Sequence, residues 1–272
     1  MDTQSERTNR PSPQSEVLEA VDPSRGRSAL FRVFEWLFMA SWFVEITWLI
    51  WRLWPNVADR WAATVAALAL ALLSMDWLTG MLHWAGDTWG SVHWPLIGQS
   101  VIRTFREHHV DEKAITRHDF LEVNATSVAI GVPVLAFGHW VGPDHHFAAT
   151  WCVGMGLSGL VANQFHLWAH RDDNAWWIRA LQRSGLILSP EGHALHHRAP
   201  YTDHYCITTG WLNYPLAKIR YFRALEWIIS KLTGAVPRAE DVRAAEALAV
   251  AQAEALAETE AEKRRAAAEV SP

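Results

Sequence analysis

The sequence predicts an all-α membrane protein: a polytopic helix bundle of about four spans, with a histidine-rich cap at its cytoplasmic face. Three observations carry this expectation. Long apolar runs alternate with charged segments along 272 residues, the profile of a chain that crosses a bilayer repeatedly. Tryptophan and histidine are far above ordinary usage, at 17 and 14. Lysine and arginine gather in the two tails and the second connection, so the positive-inside rule puts both termini in the cytoplasm. The net charge of −5 has no basic stripe behind it, which argues against a nucleic-acid partner. Two cysteines make a disulfide framework unlikely in kind, and Cys206, beside the histidines, fits a reducing environment.

Residues 1–28 are rich in Ser, Pro, Arg and Glu without apolar period; a disordered tail is expected, with no cleavable signal peptide. Residues 29–237 form the membrane domain. The first span covers residues 30–53, long enough for the ~20 residues a bilayer requires. Glu35 can sit at its interface, whereas Glu45 is deeper and must face other helices. Trp54-Pro55-Asn56 is a turn into a second span, residues 61–84. Residues 85–122 are polar and histidine-loaded, a surface loop with short helices. A third span over residues 127–140 is short, with Gly131 and Pro133 suggesting a kink. Gly142-Pro143-Asp144 turns the chain into a fourth span, residues 147–169. Trp176, Trp177, Ile178 and Leu181 suit the headgroup zone, and residues 215–232 read as one amphipathic helix. Residues 238–272 are an Ala- and Glu-rich tail, a solvated helix with a fraying end.

The chemistry concentrates in histidine. Within Glu191-Gly192-His193-Ala194-Leu195-His196-His197, the H-x-x-H-H spacing puts imidazoles on one helical face, where a metal explains them better than packing. Asp76, Gly80, His83 and Asp87 form another stripe at the end of the second span. Gly156, Gly159, Asn163, His166 and His170 form a third at the end of the fourth, its glycines allowing close helix approach. The surface loop adds His108 and His109, and His118 beside Asp119, where a structural hydrogen bond competes with ligation. This topology leaves His139, His145 and His146 on the opposite side, and gives His93 and His204 surface or interfacial places. Eight or nine imidazoles at one membrane face exceed the four ligands of a single zinc. Two ions with open positions would use them, and iron fits histidine with sites open for oxygen. Such a centre can activate dioxygen and remove hydrogen from a lipid chain reaching it through the bundle.

The strings His83-Trp84-Ala85-Gly86-Asp87-Thr88-Trp89-Gly90 and Asn163-Gln164-Phe165-His166-Leu167-Trp168-Ala169-His170 resemble the plasmanylethanolamine desaturase family. So do residues 105–111, 115–120 and 193–197, Tyr205-Cys206-Ile207-Thr208-Thr209-Gly210-Trp211-Leu212-Asn213-Tyr214-Pro215-Leu216, and Pro237-Arg238-Ala239. The resemblance runs from about Asp76 to Asp241, leaving both tails outside. It implies oxidation of the 1-O-alkyl chain of a plasmanyl phospholipid to the vinyl ether of a plasmalogen. Dioxygen, a di-iron site and an electron-donor protein, cytochrome b5-like or ferredoxin-like, are implied with it. The metal ligands carried over are His83, His108, His109, His118, His166, His170, His193, His196 and His197. Asp87 is implied as ligand or base, with Asp76 and Asn163 as supporting groups. Against the wider fatty-acyl desaturases, the first box is H-x-x-x-D and the second is reduced to His108-His109. The rival expectations are a fatty-acyl desaturase or hydroxylase and, from another class, a membrane metal transporter. The membrane would be a bacterial inner membrane or a eukaryotic endoplasmic reticulum.

Overall fold

The computed structural model describes residues 29–239 and 241–243; the expected N-terminal tail and most of the C-terminal one lie outside the described residues. Every regular element among the described residues is helical: α1 (Ala29–Leu53), α2 (Trp61–Thr88), α3 (Arg103–Val110), α4 (Phe120–Val141), α5 (His146–His170), α6 (Trp176–Arg183), α7 (Pro190–His193), α8 (Asn213–Lys218) and α9 (Tyr221–Thr233). Tight 3-10 turns at Trp54–Asn56 and Pro143–His145 reverse the chain at one end of the bundle. A π-turn at Gly98–Ile102 and a 3-10 turn at Ala114–Arg117 flank α3 at the other.

The long helices are α1, α2, α4 and α5. Three segments are long and apolar enough to cross a membrane: Arg32–Asn56, Trp61–Thr88 and Phe120–Val141. α5 is as long as α1, at 25 residues, but carries Gly154, Gly156, Ser158, Gly159 and Asn163. It was expected as a fourth span on length. Its weaker apolar character follows from its place: it packs against α1, α2 and α4, so small and polar residues face protein instead of lipid. Apolar attraction between helices is weak in lipid, and close packing takes its place. A Cβ at Gly154 would lie 2.5 Å from Ala71 Cβ, so only glycine lets α5 approach α2 this closely. Buried Trp42 donates from Nε1 to Gly156 O at 3.2 Å, while Trp36, Val44, Trp48 and Trp51 on the same helix point outward.

Two boundaries differ from expectation. α4 starts at Phe120, well before the apolar run, because Asp119 and Glu122 form a reciprocal capping box; Pro133 lies inside it without ending it. The single amphipathic helix expected over residues 215–232 is two, divided at Arg220, whose φ is +53°. His139, His145 and His146 lie at the turn end, where His139 Nε2 meets Glu45 O at 2.9 Å and His146 Nε2 meets Thr64 Oγ1 at 2.8 Å.

Candidate metal centre

The other end of the bundle gathers the remaining histidines. α2 brings His83 and Asp87 on adjacent turns, and α5 brings His166 and His170 in the same way. α3 contributes His108 and His109, whose rings point to different neighbours as successive helical positions must. Ser189 caps α7 by accepting from Gly192 N at 3.0 Å, which sets the turn carrying His193, His196 and His197.

These side chains form two adjoining groups. The first holds His108, His166, His170, His193 and His197; the second holds His83, Asp87, His109 and His196. Within each, the ligand atoms lie within 4.8 Å of one another. In the first, His193 Nε2 is 2.8 Å from His166 Nε2 and 3.0 Å from His197 Nε2; His197 Nε2 is 3.1 Å from His108 Nε2, and His170 Nε2 3.3 Å from His166 Nε2. In the second, Asp87 Oδ2 is ringed by Nε2 of His109 at 3.1 Å, His196 at 3.2 Å and His83 at 3.5 Å. The His83 and His196 rings touch at a centroid distance of 4.4 Å, and His83 lies 5.5 Å from His166 across the boundary.

The donors suit metal ions. Both Asp87 oxygens, both His109 nitrogens, His83 Nε2 and His196 Nε2 are buried without a hydrogen-bond partner. Orphaned buried polar atoms cost roughly 1–3 kcal/mol each, so six in one place call for a cation. With metal–nitrogen bonds of about 2.0–2.1 Å, neighbouring ligand atoms of an octahedron or tetrahedron sit about 2.9–3.4 Å apart, close to the spacings seen here. Imidazole orientation is fixed from behind. His83 Nδ1 lies 3.1 Å from Tyr205 O and His196 Nδ1 2.9 Å from Asp203 O, so each donates outward and turns Nε2 inward. Burial, reinforced by neighbouring rings, holds His108 and His193 well below the usual imidazole pKa. Both are therefore neutral at pH 7, with the lone pair that coordination needs.

Residues 72–240 match the family model described as lipid desaturase domain. The chain belongs to the lipid desaturase family. It is 41% identical over 234 residues to plasmanylethanolamine desaturase of Myxococcus xanthus, covering 84% of this chain and 83% of that protein. Plasmanylethanolamine desaturase 1 of Mus musculus is 40% identical over 199 residues, 69% of this chain and 73% of that one. Chloroplastic fatty acid desaturase 4 of Arabidopsis thaliana is 36% identical over 168 residues, 59% of this chain and 50% of its own. No solved structure matches. The desaturase is thus an oxidoreductase with a histidine-rich metal site at one end of a membrane helix bundle.

Three residues expected at the site lie outside both groups. His118 follows the Ala114–Arg117 turn, half-exposed, with Nδ1 3.1 Å from Glu122 Oε2. Its ring is drawn to the α4 capping carboxylate and lines a cavity beside the centre instead of joining the donors. Asp76 is fully buried, yet its carboxylate accepts from the backbone N–H of Thr209 at 2.8 Å, Gly210 at 2.9 Å and Leu212 at 3.0 Å. It anchors the loop that offers Tyr205 O to His83. Gly80 serves the same contact: a Cβ there would lie 2.6 Å from Cys206 Sγ. Asn163 donates to Val123 O at 2.9 Å, tying α5 to α4 along the cavity. The carbonyls of Tyr205 and Asp203 went unnoticed in the sequence, because any residue type can supply them.

Proposed function

We propose that the desaturase converts a plasmanyl phospholipid into a plasmalogen by 1,2-desaturation of the sn-1 O-alkyl chain at a di-iron site. The observation that carries this reading is the pair of adjoining donor groups, eight imidazoles and one carboxylate, opening on a partly apolar cavity. The names of the relatives from Myxococcus xanthus and Mus musculus supply the substrate. The reaction removes one hydrogen from each of the two chain carbons nearest the ether oxygen and forms one carbon–carbon double bond. Dioxygen becomes two waters, with two electrons and two protons delivered by an external donor protein, cytochrome b5-like or ferredoxin-like. Bound iron supplies the oxygen activation and hydrogen removal that no side chain can perform.

The chain's own residues supply position and exclusion of water. The cavity of about 250 Å³ has His83, His108 and His166 on its wall, so a chain seated there meets both donor groups. Val101, Phe105, Ile115 and Val123 give it apolar sides suited to methylenes. In this reading the ligands are the eight grouped histidines and Asp87, and His118 belongs to the cavity wall. The positive-inside distribution puts this end at the cytoplasmic face, where a soluble electron donor can reach it. A metal transporter would spread its ligands along the membrane depth, and here they gather at one end.

Expression in cells that hold alkyl ether lipids but no vinyl ethers tests the reading by lipid mass spectrometry. The expected product is an ether chain lighter by two hydrogens and labile to acid. Desaturation of an ester-linked chain alone would replace this reading with a fatty-acyl one.

A further inference from the structure

α2 ends one residue after Asp87, and its last carbonyls have no partner within the helix. Two arginines from distant parts of the chain supply partners. Arg106 Nη1, on α3, donates to Asp87 O at 2.6 Å and to Asp241 Oδ2 at 2.9 Å. The backbone N–H of Arg238 donates to Thr88 O at 2.7 Å. Its guanidinium forks onto the Glu226 carboxylate of α9 at 3.0 and 2.9 Å and reaches Thr88 Oγ1 at 3.3 Å. No basic residue lies in the last turn of α2, so the positive charge that favours a helix C-terminus comes from outside it.

This network is built, not incidental. Arg106 and Glu226 are each only 3% exposed; losing Asp241 takes a carboxylate from the buried Arg106, and losing Arg238 leaves Glu226 with Arg223 of its own helix but without the cation that ties it to the end of α2. Arg238 has φ +53°, a conformation that a non-glycine residue holds only where surrounding contacts fix it. Arg238 and Asp241, in the segment expected as the C-terminal tail, contact the end of α2 and Arg106 of α3. The elements so tied carry His83, Asp87 and His109, three of the four donors of the second group. They carry one of the five in the first, His108.

We infer that Arg106, Arg238, Glu226 and Asp241 are positioning residues that latch the end of α2 to α3 and so retain the metal ion of the Asp87 group. The latch acts through the Asp87 backbone and the helix end, and touches no substrate. It rests on the two-ion reading above. A bidentate fork matters here, because lysine would keep the charge of Arg238 without holding both Glu226 oxygens.

The test uses the full-length desaturase in lipid nanodiscs, loaded with ferrous iron under anaerobic conditions. Iron per chain and the rate of its release to a ferrous chelator are measured beside helical melting. The wild type is expected to hold two ions. In Arg238→Gln, one ion should leave about tenfold faster or more, the range for losing a residue that orients a ligand, while the other leaves at the wild-type rate. Arg238→Lys should fall between. Asp241→Asn, whose carboxylate is partly exposed, serves the same purpose if Arg238→Gln fails to fold. Equal rates in wild type and variants, or equal acceleration of both ions, overturns the latch. A wild type holding one ion breaks the two-ion reading instead; the latch then stands or falls on whether that ion leaves faster in the variants.

Discussion

Five imidazoles from three parts of the chain make up one donor group, and three imidazoles with a carboxylate make up the other. The first carries no formal charge from its donors and has close contacts among its own Nε2 atoms. The second carries the only carboxylate among the donors and is held from behind by Tyr205 O, Asp203 O and the Arg106 contact at Asp87. Each device of the second group traces to a loop or segment outside the membrane helices. The Asp76 anchor steadies the Tyr205 loop, and Arg238 and Asp241 steady the end of α2, Asp241 through Arg106. The lesson is that two adjoining donor groups can be held differently, one by distant tethers and the other by local packing; on the two-ion reading proposed above, their ions would differ in how tightly they are kept.

Five substitutions sharpen or break this contrast. His193→Ala and His196→Ala remove one donor from each group, and each should abolish vinyl-ether formation, by at least about 100-fold. That exceeds the ~10–100-fold typical of losing a residue that only orients a ligand. Survival of activity in either variant, read by lipid mass spectrometry, means the groups do not work as a unit. Asp87→Asn keeps the shape and removes the charge; iron per chain should fall towards half the wild-type value, with the five-imidazole group still filled. Asp76→Asn breaks a buried carboxylate's contacts with the Tyr205 loop, costing roughly 2–4 kcal/mol for one or two charge-assisted bonds. It should lower the melting temperature and loosen the His83 side first. His118→Ala has the smallest expected effect. The ring is half-exposed and outside both groups, so iron content should be unchanged and stability within about 0.5 kcal/mol. Loss of iron in that variant would restore His118 as a ligand.

Apolar length was enough to find the four long helices, though not the start of α4, and the proline-bearing strings were enough for the turns at Trp54–Asn56 and Pro143–His145. Spacing was enough for the convergence of histidines, since positions three and four apart share a helix face whatever the tertiary context. The same logic did not show what Asp76 supports. It shares a face with His83 and Asp87, yet it lies further down α2 and meets backbone N–H groups of a loop more than a hundred residues away. His118 differs in its partner: the sequence pairs its ring with neighbouring Asp119, whereas in the structure it meets Glu122, because Asp119 is turned to the helix cap.

Composition and spacing alone determined that this is a helical membrane protein with a histidine-rich metal centre, because apolar length and imidazole periodicity are local properties of the chain. Tertiary structure decided the division of the donors into two groups, the separation of His118 from them, and the return of Arg238 and Asp241 to the end of α2. Those features depend on pairings between residues far apart in sequence, made by carbonyls and buried charges that leave no periodic trace.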